Sequence, residues 1–306
     1  MDSPYTQRQF QPFIMLFVFF GLMIVSLYFC VEIVKWTLPL FFVIADATSF
    51  LTNVKEQIAN PDAALYYQSM ASAIGMFILP TLFYHLIFRV NMIETMGLCL
   101  PPSITSWAMS IAIMLLASFF IQIFVQFSQA IPLPEHWAFL RNGQQQVEQL
   151  IDSFFNNISF VHIVWVSLVL AVLPAVGEEL CFRGTIQNLL AKTNLGNKGA
   201  IIVTGFTFAL MHLEFDNFLS IWVMGIVLGL LYYYTGSIWV SILAHFCNNM
   251  LMVLLKYAYH RGLLAIDFGG SEMLPLYLAL PAGVVMVGGL MTLSKLSGRA
   301  SSLSVD

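Results

Sequence analysis

The sequence predicts an all-α, polytopic transmembrane helical bundle of about eight spans, with one further amphipathic helix lying in the membrane interface. Three observations predict it. Hydrophobic residues make up 59% of the 306 residues and charged residues 9%, against roughly 25% charged in a soluble protein. The mean hydropathy is +0.84. Apolar runs near span length recur along the whole chain, separated by short polar or Pro/Gly breaks. So few charges cannot cover a soluble surface, which excludes soluble enzymes, nucleic-acid binders and disordered chains together. The net charge of −4, with no basic block, implies no polyanionic partner.

The first span is expected at 11–33. The apolar run 10–31 is longer than the core of a secretory signal and no small-residue cleavage site follows it, so it reads as an anchor. Residues 36–63 form a long connection carrying Asp46, Lys55, Glu56 and Asp62. Further spans are expected at 64–88, 105–131, 160–191 (with Pro174 inside), 198–213, 217–234, 237–257 and 273–294; Pro132 and Pro134 end the third. No internal repeat is visible, so 1–306 reads as a single membrane domain whose catalytic core is 160–257. Between spans, 143–157 places Val147, Leu150, Ile151, Phe154 and Phe155 at helical spacing with Gln, Glu and Asp opposite, the pattern of an interfacial helix. Loop cations divide as Arg8, Arg89, Lys192, Lys198, Lys295 and Arg299 on one side and Lys35, Lys55, Arg141, Lys256 and Arg261 on the other. The bias is weak and favours cytoplasmic termini.

Several features read as structural. Cys30, Cys99, Cys181 and Cys247 show no CxxC spacing and read as small buried apolar residues. His85 and His162, near span ends, read as hydrogen-bonded interfacial histidines. Gly225 and Gly229 make a GxxxG for close helix packing. Glu214, Asp216 and Asn217 read as a short polar loop, with Glu214 alternatively at a site entrance.

Ionisable groups inside spans are costly and therefore functional candidates. Those of this chain cluster: Glu178, Glu179 and Arg183 in the fourth expected span, His212 in the fifth and His245 in the seventh, with Asn249 one turn after His245. Adjacent helical residues diverge by about 100°, so the two glutamates cannot do the same job. Glu179 and Arg183, at i and i+4, are expected to neutralise each other. Glu178 then keeps a free carboxyl for acid–base work. Phe208 lies one turn before His212 and packs beside it, and His245 and Asn249 share a face. Such a set serves a hydrolytic site, with a base for water and imidazole or amide donors for an oxyanion. Alternatively Glu178, His212 and His245 form a His₂Glu zinc site with an open position. Counting from expected helix ends puts Glu178 at about 18–20 Å depth, His212 at about 21 Å and His245 at about 12 Å. The side-chain tips should therefore converge within about 8 Å around one polar cavity, which meets Glu179 only through the Arg183 pair.

The motifs EExxxR (Glu178, Glu179, Arg183), FxxxH (Phe208, His212) and HxxxN (His245, Asn249), in this order over roughly 170–255, resemble the CPBP family of intramembrane proteases, also called the CAAX protease and bacteriocin-processing or Abi family. That family includes the type II CAAX prenyl endopeptidases. The resemblance implies a multi-pass membrane endopeptidase, placed in the plasma (inner) membrane of a prokaryote, acting on a membrane-associated peptide or protein. Glu178 and His212 would activate water. His245 and Asn249 would hold the oxyanion or, on the metal reading, His245 would be a ligand. Family members are described both as metalloproteases and as glutamate-dependent enzymes, so zinc and a metal-free site both stay open. Two other classes compete: a non-catalytic peptide-binding, immunity or assembly factor on this scaffold, and a transporter with a Glu/His proton relay. The transporter would show repeats or paired helix breaks, and neither is present.

Overall fold

The computed structural model describes residues 4–41, 61–131, 138–155, 159–265 and 276–297, and among these the secondary structure is entirely helical. Helix α1 is Pro4–Phe41. Helix α2 (61–88) consists of Pro61–Ala73 and Leu79–Phe88 joined through a π-turn at Ile74–Ile78. Helix α3 (104–130) runs from Ile104–Phe120 into Gln122–Ala130. Helix α4 is Ala138–Ser153. Helix α5 (160–190) contains two π-turns, at Leu168–Val172 and Phe182–Gln187. Helices α6 (Gly196–His212), α7 (Phe218–Thr235), α8 (Ile238–His260) and α9 (Leu276–Leu296) complete the bundle.

Among the described residues seven segments, on α1, α2, α3, α5, α7, α8 and α9, are long and apolar enough to cross a bilayer. These are the marks of an integral, multi-pass membrane protein. The expected count of eight included 198–213. That helix forms as α6, 17 residues long or about 26 Å, one residue shorter than α7, with Asn197 and Lys198 in its first turn. It is a short helix packed against α7. The first helix also departs from expectation by continuing through 36–41. Its polar residues are satisfied there: Lys35 pairs with Glu32 at 2.7 Å, and the Thr37 hydroxyl lies 2.7 Å from the Ile33 carbonyl and 2.6 Å from the Tyr67 hydroxyl of α2. The remainder of the expected connection, 42–60, lies outside the described residues.

Both π-turns that precede an internal proline have the same cause. Pro80 and Pro174 each stand at the start of the α-helical stretch that follows a π-turn. A proline has no N–H to donate and its ring crowds the preceding turn. Widening that turn by one residue relieves the clash without ending the helix. Pro174 therefore leaves α5 continuous and able to carry Glu178 into the bundle.

The amphipathic helix expected at 143–157 forms at Ala138–Ser153, and 156–158 lie outside the described residues. Its expected apolar stripe divides. Val147 and Leu150 stay exposed on the helix, while Phe154 and Phe155, in the turn after it, are buried against Tyr66, Val166 and Val253. The helix is tied at both ends. The Arg141 guanidinium forks onto Asp216, Nε to Oδ2 at 3.2 Å and Nη2 to Oδ1 at 3.0 Å, and Asp152 pairs with Lys256. The Asp216 carboxylate pushes Arg141 still further above its ordinary range, through the hydrogen bond first and the charge second. The 214–217 loop is thus an anchor for α4, and Glu214 accepts from Asn217 Nδ2 at 2.8 Å within it.

Gly225 and Gly229 act as packing glycines. A Cβ on Gly225 would stand 2.8 Å from the Gly205 Cα, and one on Gly229 the same distance from the Gln187 side-chain oxygen. This close approach locks α7 against α6 and α5. Of the cysteines, Cys30 and Cys181 are buried and Cys247 is half-buried; Cys99 is exposed, against expectation, because it falls in the turn at 96–99 rather than in a span.

Candidate active site

Glu178 and Glu179 lie on Leu173–Cys181, between the two π-turns of α5, and both are buried. Glu179 Oε1 receives Arg183 Nη1 at 2.6 Å, with both side chains 0% exposed. Two opposite charges so far from water would each be costly alone, and the pair removes that cost only with good geometry and further bonds. The guanidinium has such bonds. Its Nη2 donates to the Gly225 carbonyl at 2.9 Å, and its Cζ stands 4.8 Å from the centre of the Phe208 ring. Gln187, one turn further, repeats the contact on Gly229 at 3.2 Å. The GxxxG of α7 therefore exposes its carbonyls to side chains of α5 as well as giving close packing.

The surroundings of Glu179 correct one expectation. It does not meet the site through Arg183 alone: His245 Nδ1 lies 2.9 Å from the same Oε1. Its Nε2 lies 3.9 Å from Glu178 Oε2, beyond hydrogen-bond reach. The imidazole of α8 enters between the two carboxylates, so their divergence around the helix places one on each of its nitrogens. An Nδ1–H given to Glu179 fixes the ring plane and aims Nε2 at Glu178. Glu178 Oε2 is buried and has no hydrogen-bond partner.

Phe208, 1% exposed, stands at the centre of the other contacts. Its ring is 4.5 Å from the His212 ring and 6.0 Å, edge-on, from the His245 ring, measured between centroids. His212 Nδ1 is bonded to the Phe208 carbonyl at 2.8 Å, as the i, i+4 spacing allows at the end of α6, and this leaves Nε2 free. Asn249 shares the helix face of His245. Its Oδ1 accepts from Asn248 Nδ2 at 3.1 Å, and Asn248 Oδ1 accepts from the Ser118 hydroxyl at 2.6 Å. Sequence reading passed over Asn248 and Ser118. Two adjacent asparagines in an apolar helix were the available signal for the first. Nothing marked Ser118 among the many residues of its span.

Glu178, Glu179, Arg183, Phe208, His212 and His245 thus form one connected group, and Asn249 stands one turn away on α8. A zinc ion would find suitable donor chemistry in Glu178 and the two Nε2 atoms, each imidazole being oriented through its Nδ1. Among the described residues no three His, Cys, Asp or Glu side chains are grouped closely enough to hold a metal ion. Two cavities flank the group. An apolar one of about 200 Å³ lies between Trp107, Val172, Ala175, Val176, Trp239 and Phe246, one turn from Glu179 on α5. A polar one of about 450 Å³ lies at the loop end of α5, beside Glu94, Gln187, Asn188 and Asn197. Neither is the expected polar cavity lined by Glu178, His212, His245 and Asn249.

Residues 160–251 match the family model described as type II CAAX prenyl endopeptidase Rce1-like. The matched segment is under a third of the chain and is similar to an Rce1-like domain. The match begins at the start of α5 and ends just past Asn249, so it takes in all three motifs and every residue of the connected group. The Rce1-like family is one of peptidases acting on protein substrates in the membrane. No curated protein and no solved structure matches the chain.

Proposed function

We propose that the protein is an intramembrane endopeptidase that hydrolyses a peptide bond of a membrane-associated protein or peptide, with Glu178 as the base. One observation carries this reading. The buried Glu178 carboxylate has an oxygen without a hydrogen-bond partner, and it faces an imidazole whose other nitrogen is held by Glu179. This is the order of parts in an activated hydrolytic site: a base, a second group beside it, and an orienting group behind. Glu179 Oε2 and Arg183 Nε also lack partners, but their side chains are committed to each other through Oε1 and Nη1, whereas among the described residues no hydrogen bond commits the Glu178 carboxylate.

Glu178, with His212 Nε2 beside the shared Phe208 ring, takes a proton from water as the oxygen adds to the scissile carbonyl. His245 Nε2 and the Asn249 amide donate to the oxyanion that forms. For His245 this requires a proton on Nε2 as well as on the Nδ1 that faces Glu179. The tetrahedral intermediate collapses with the proton passing from Glu178 to the leaving amine, so the base is restored. Arg183 balances the charge of Glu179 throughout. No step is routed through a metal. The apolar cavity one turn away would accept an apolar part of the substrate.

The test uses the full chain in proteoliposomes and internally quenched peptides ending in a CAAX sequence, with and without a prenyl group on the cysteine. The wild-type protein should cleave at least one of the two, and Glu178→Gln should cleave neither. Cleavage that survives in Glu178→Gln would overturn the reading.

A further inference from the structure

Asn249 can hold an oxyanion only if its amide nitrogen, and not its carbonyl oxygen, is turned to the reacting carbonyl. Its two ends differ little in size, so helix geometry does not decide between them; the hydrogen bonds around the amide do. The chain of bonds begins on another helix. The Ser118 hydroxyl of α3 lies 2.6 Å from Asn248 Oδ1, a shorter contact than the 3.0 Å to the Met114 carbonyl of its own helix. With Oδ1 so occupied, the Asn248 nitrogen is left to donate. It has two acceptors, Asn249 Oδ1 at 3.1 Å and the Met224 sulfur of α7 at 3.8 Å. Sulfur accepts and offers no proton in return, so it also selects the nitrogen at this position. Asn249 Oδ1 is then taken. Its Nδ2 keeps both hydrogens free of protein partners among the described residues, on the face shared with His245.

Ser118 and Asn248 are 3% and 4% exposed. A buried polar chain of this kind is costly unless each member is satisfied, and once satisfied it holds a single arrangement. We propose that Ser118 and Asn248 are positioning residues, a relay from α3 through α8 that sets the orientation of the Asn249 amide for oxyanion binding. The inference rests on the endopeptidase reading above. It adds two residues that lie outside the EExxxR, FxxxH and HxxxN motifs.

The test is a mutant cycle with the quenched CAAX peptide that the wild-type protein cleaves, using the full chain in proteoliposomes. Asn249→Leu should lower kcat about 100-fold, as loss of one oxyanion donor does. Asn248→Leu should lower kcat by a similar factor with KM unchanged, and the double variant should be no slower than Asn249→Leu alone, because both remove the same interaction. Ser118→Ala should lower kcat about tenfold, the loss of a single hydrogen bond, and Ser118→Thr, which keeps the hydroxyl, should restore it. Full kcat in Asn248→Leu, or losses that multiply in the double variant, would overturn the relay. Should Asn248→Leu fail to fold, the Ser118 pair decides: equal kcat in Ser118→Ala and wild type overturns it. Glu178→Gln in the same assay separates the two ideas. If it stays active, the endopeptidase reading falls. If it is dead while Asn248 and Ser118 variants are at full rate, only the relay falls.

Discussion

His162 and His245 are both buried, at 7% and 3% exposure, yet their surroundings differ in kind. The His162 nitrogens are taken up by the Tyr66 hydroxyl and the Phe154 carbonyl, beneath the amphipathic helix. Tyr66 stacks on Phe154 and on Trp165 around it. His245 has one nitrogen bound to Glu179, while the other faces a carboxylate too distant to bond. The first region is closed, since its polar groups are used in holding α2, α5 and the end of α4 together. The second keeps a nitrogen and a carboxylate oxygen in reserve. Burial alone therefore does not mark chemistry in this protein. The mark is a buried carboxylate that, among the described residues, no cation or hydrogen bond holds, beside a pair that is held.

Changing each region in turn tests this contrast. The largest effect belongs to the unspent carboxylate. Glu178→Gln should lower cleavage by about 10²–10⁴-fold while unfolding stability stays within about 1 kcal/mol, since the amide keeps the shape and no partner is stranded. A comparable loss of stability, measured by thermal melting in detergent, would make Glu178 a structural residue. Arg183→Ala should be the most destabilising single change. It leaves the Glu179 carboxylate with only the His245 imidazole and takes a donor from the Gly225 carbonyl, at a cost of about 3–5 kcal/mol. Denaturant unfolding reads this directly, and a cost below about 1 kcal/mol, the range of exposed pairs, would show that water reaches the pair.

His162→Ala sharpens the contrast from the other side. It should cost about 1–3 kcal/mol through the Tyr66 and Phe154 groups left without partners, and leave cleavage at the wild-type rate. Slower cleavage at unchanged stability would mean that the amphipathic helix reports to the site after all. The smallest expected effect is that of a chelator, which should leave cleavage unchanged if Glu178 and the imidazoles work without an ion. Metal analysis supplies the opposing result: about one zinc per chain, lost in His212→Ala, would establish the His₂Glu site of a zinc hydrolase.

Much of the candidate site was legible because helix periodicity is local. Charge is so rare in these apolar runs that Glu178, Glu179, Arg183, His212 and His245 stood out. The i, i+4 rule paired Glu179 with Arg183 and placed Phe208 beside His212 before any coordinates were considered. The same rule said nothing about which helices neighbour one another. The bond from His245 to Glu179 depends on α8 lying against α5, and the Ser118–Asn248 bond on α3 lying against α8. In each case the partners are far apart in sequence and carry no mutual signal.

The membrane class, the order of helices and the candidate residues for a site follow from the sequence, because hydropathy and spacing act along one chain. Three matters were settled only in the folded molecule. Helix α6 ends at His212, which bonds back to the Phe208 carbonyl, and packs along α7 through Gly205 and Gly225. The amphipathic helix begins at Ala138 and is held by Asp216 and Lys256 rather than by its apolar stripe alone. Glu179 serves two partners, since an imidazole from α8 reaches the oxygen that already pairs with Arg183. All three are contacts between elements, and contacts between elements are set by packing geometry, which the pattern along a single helix does not contain.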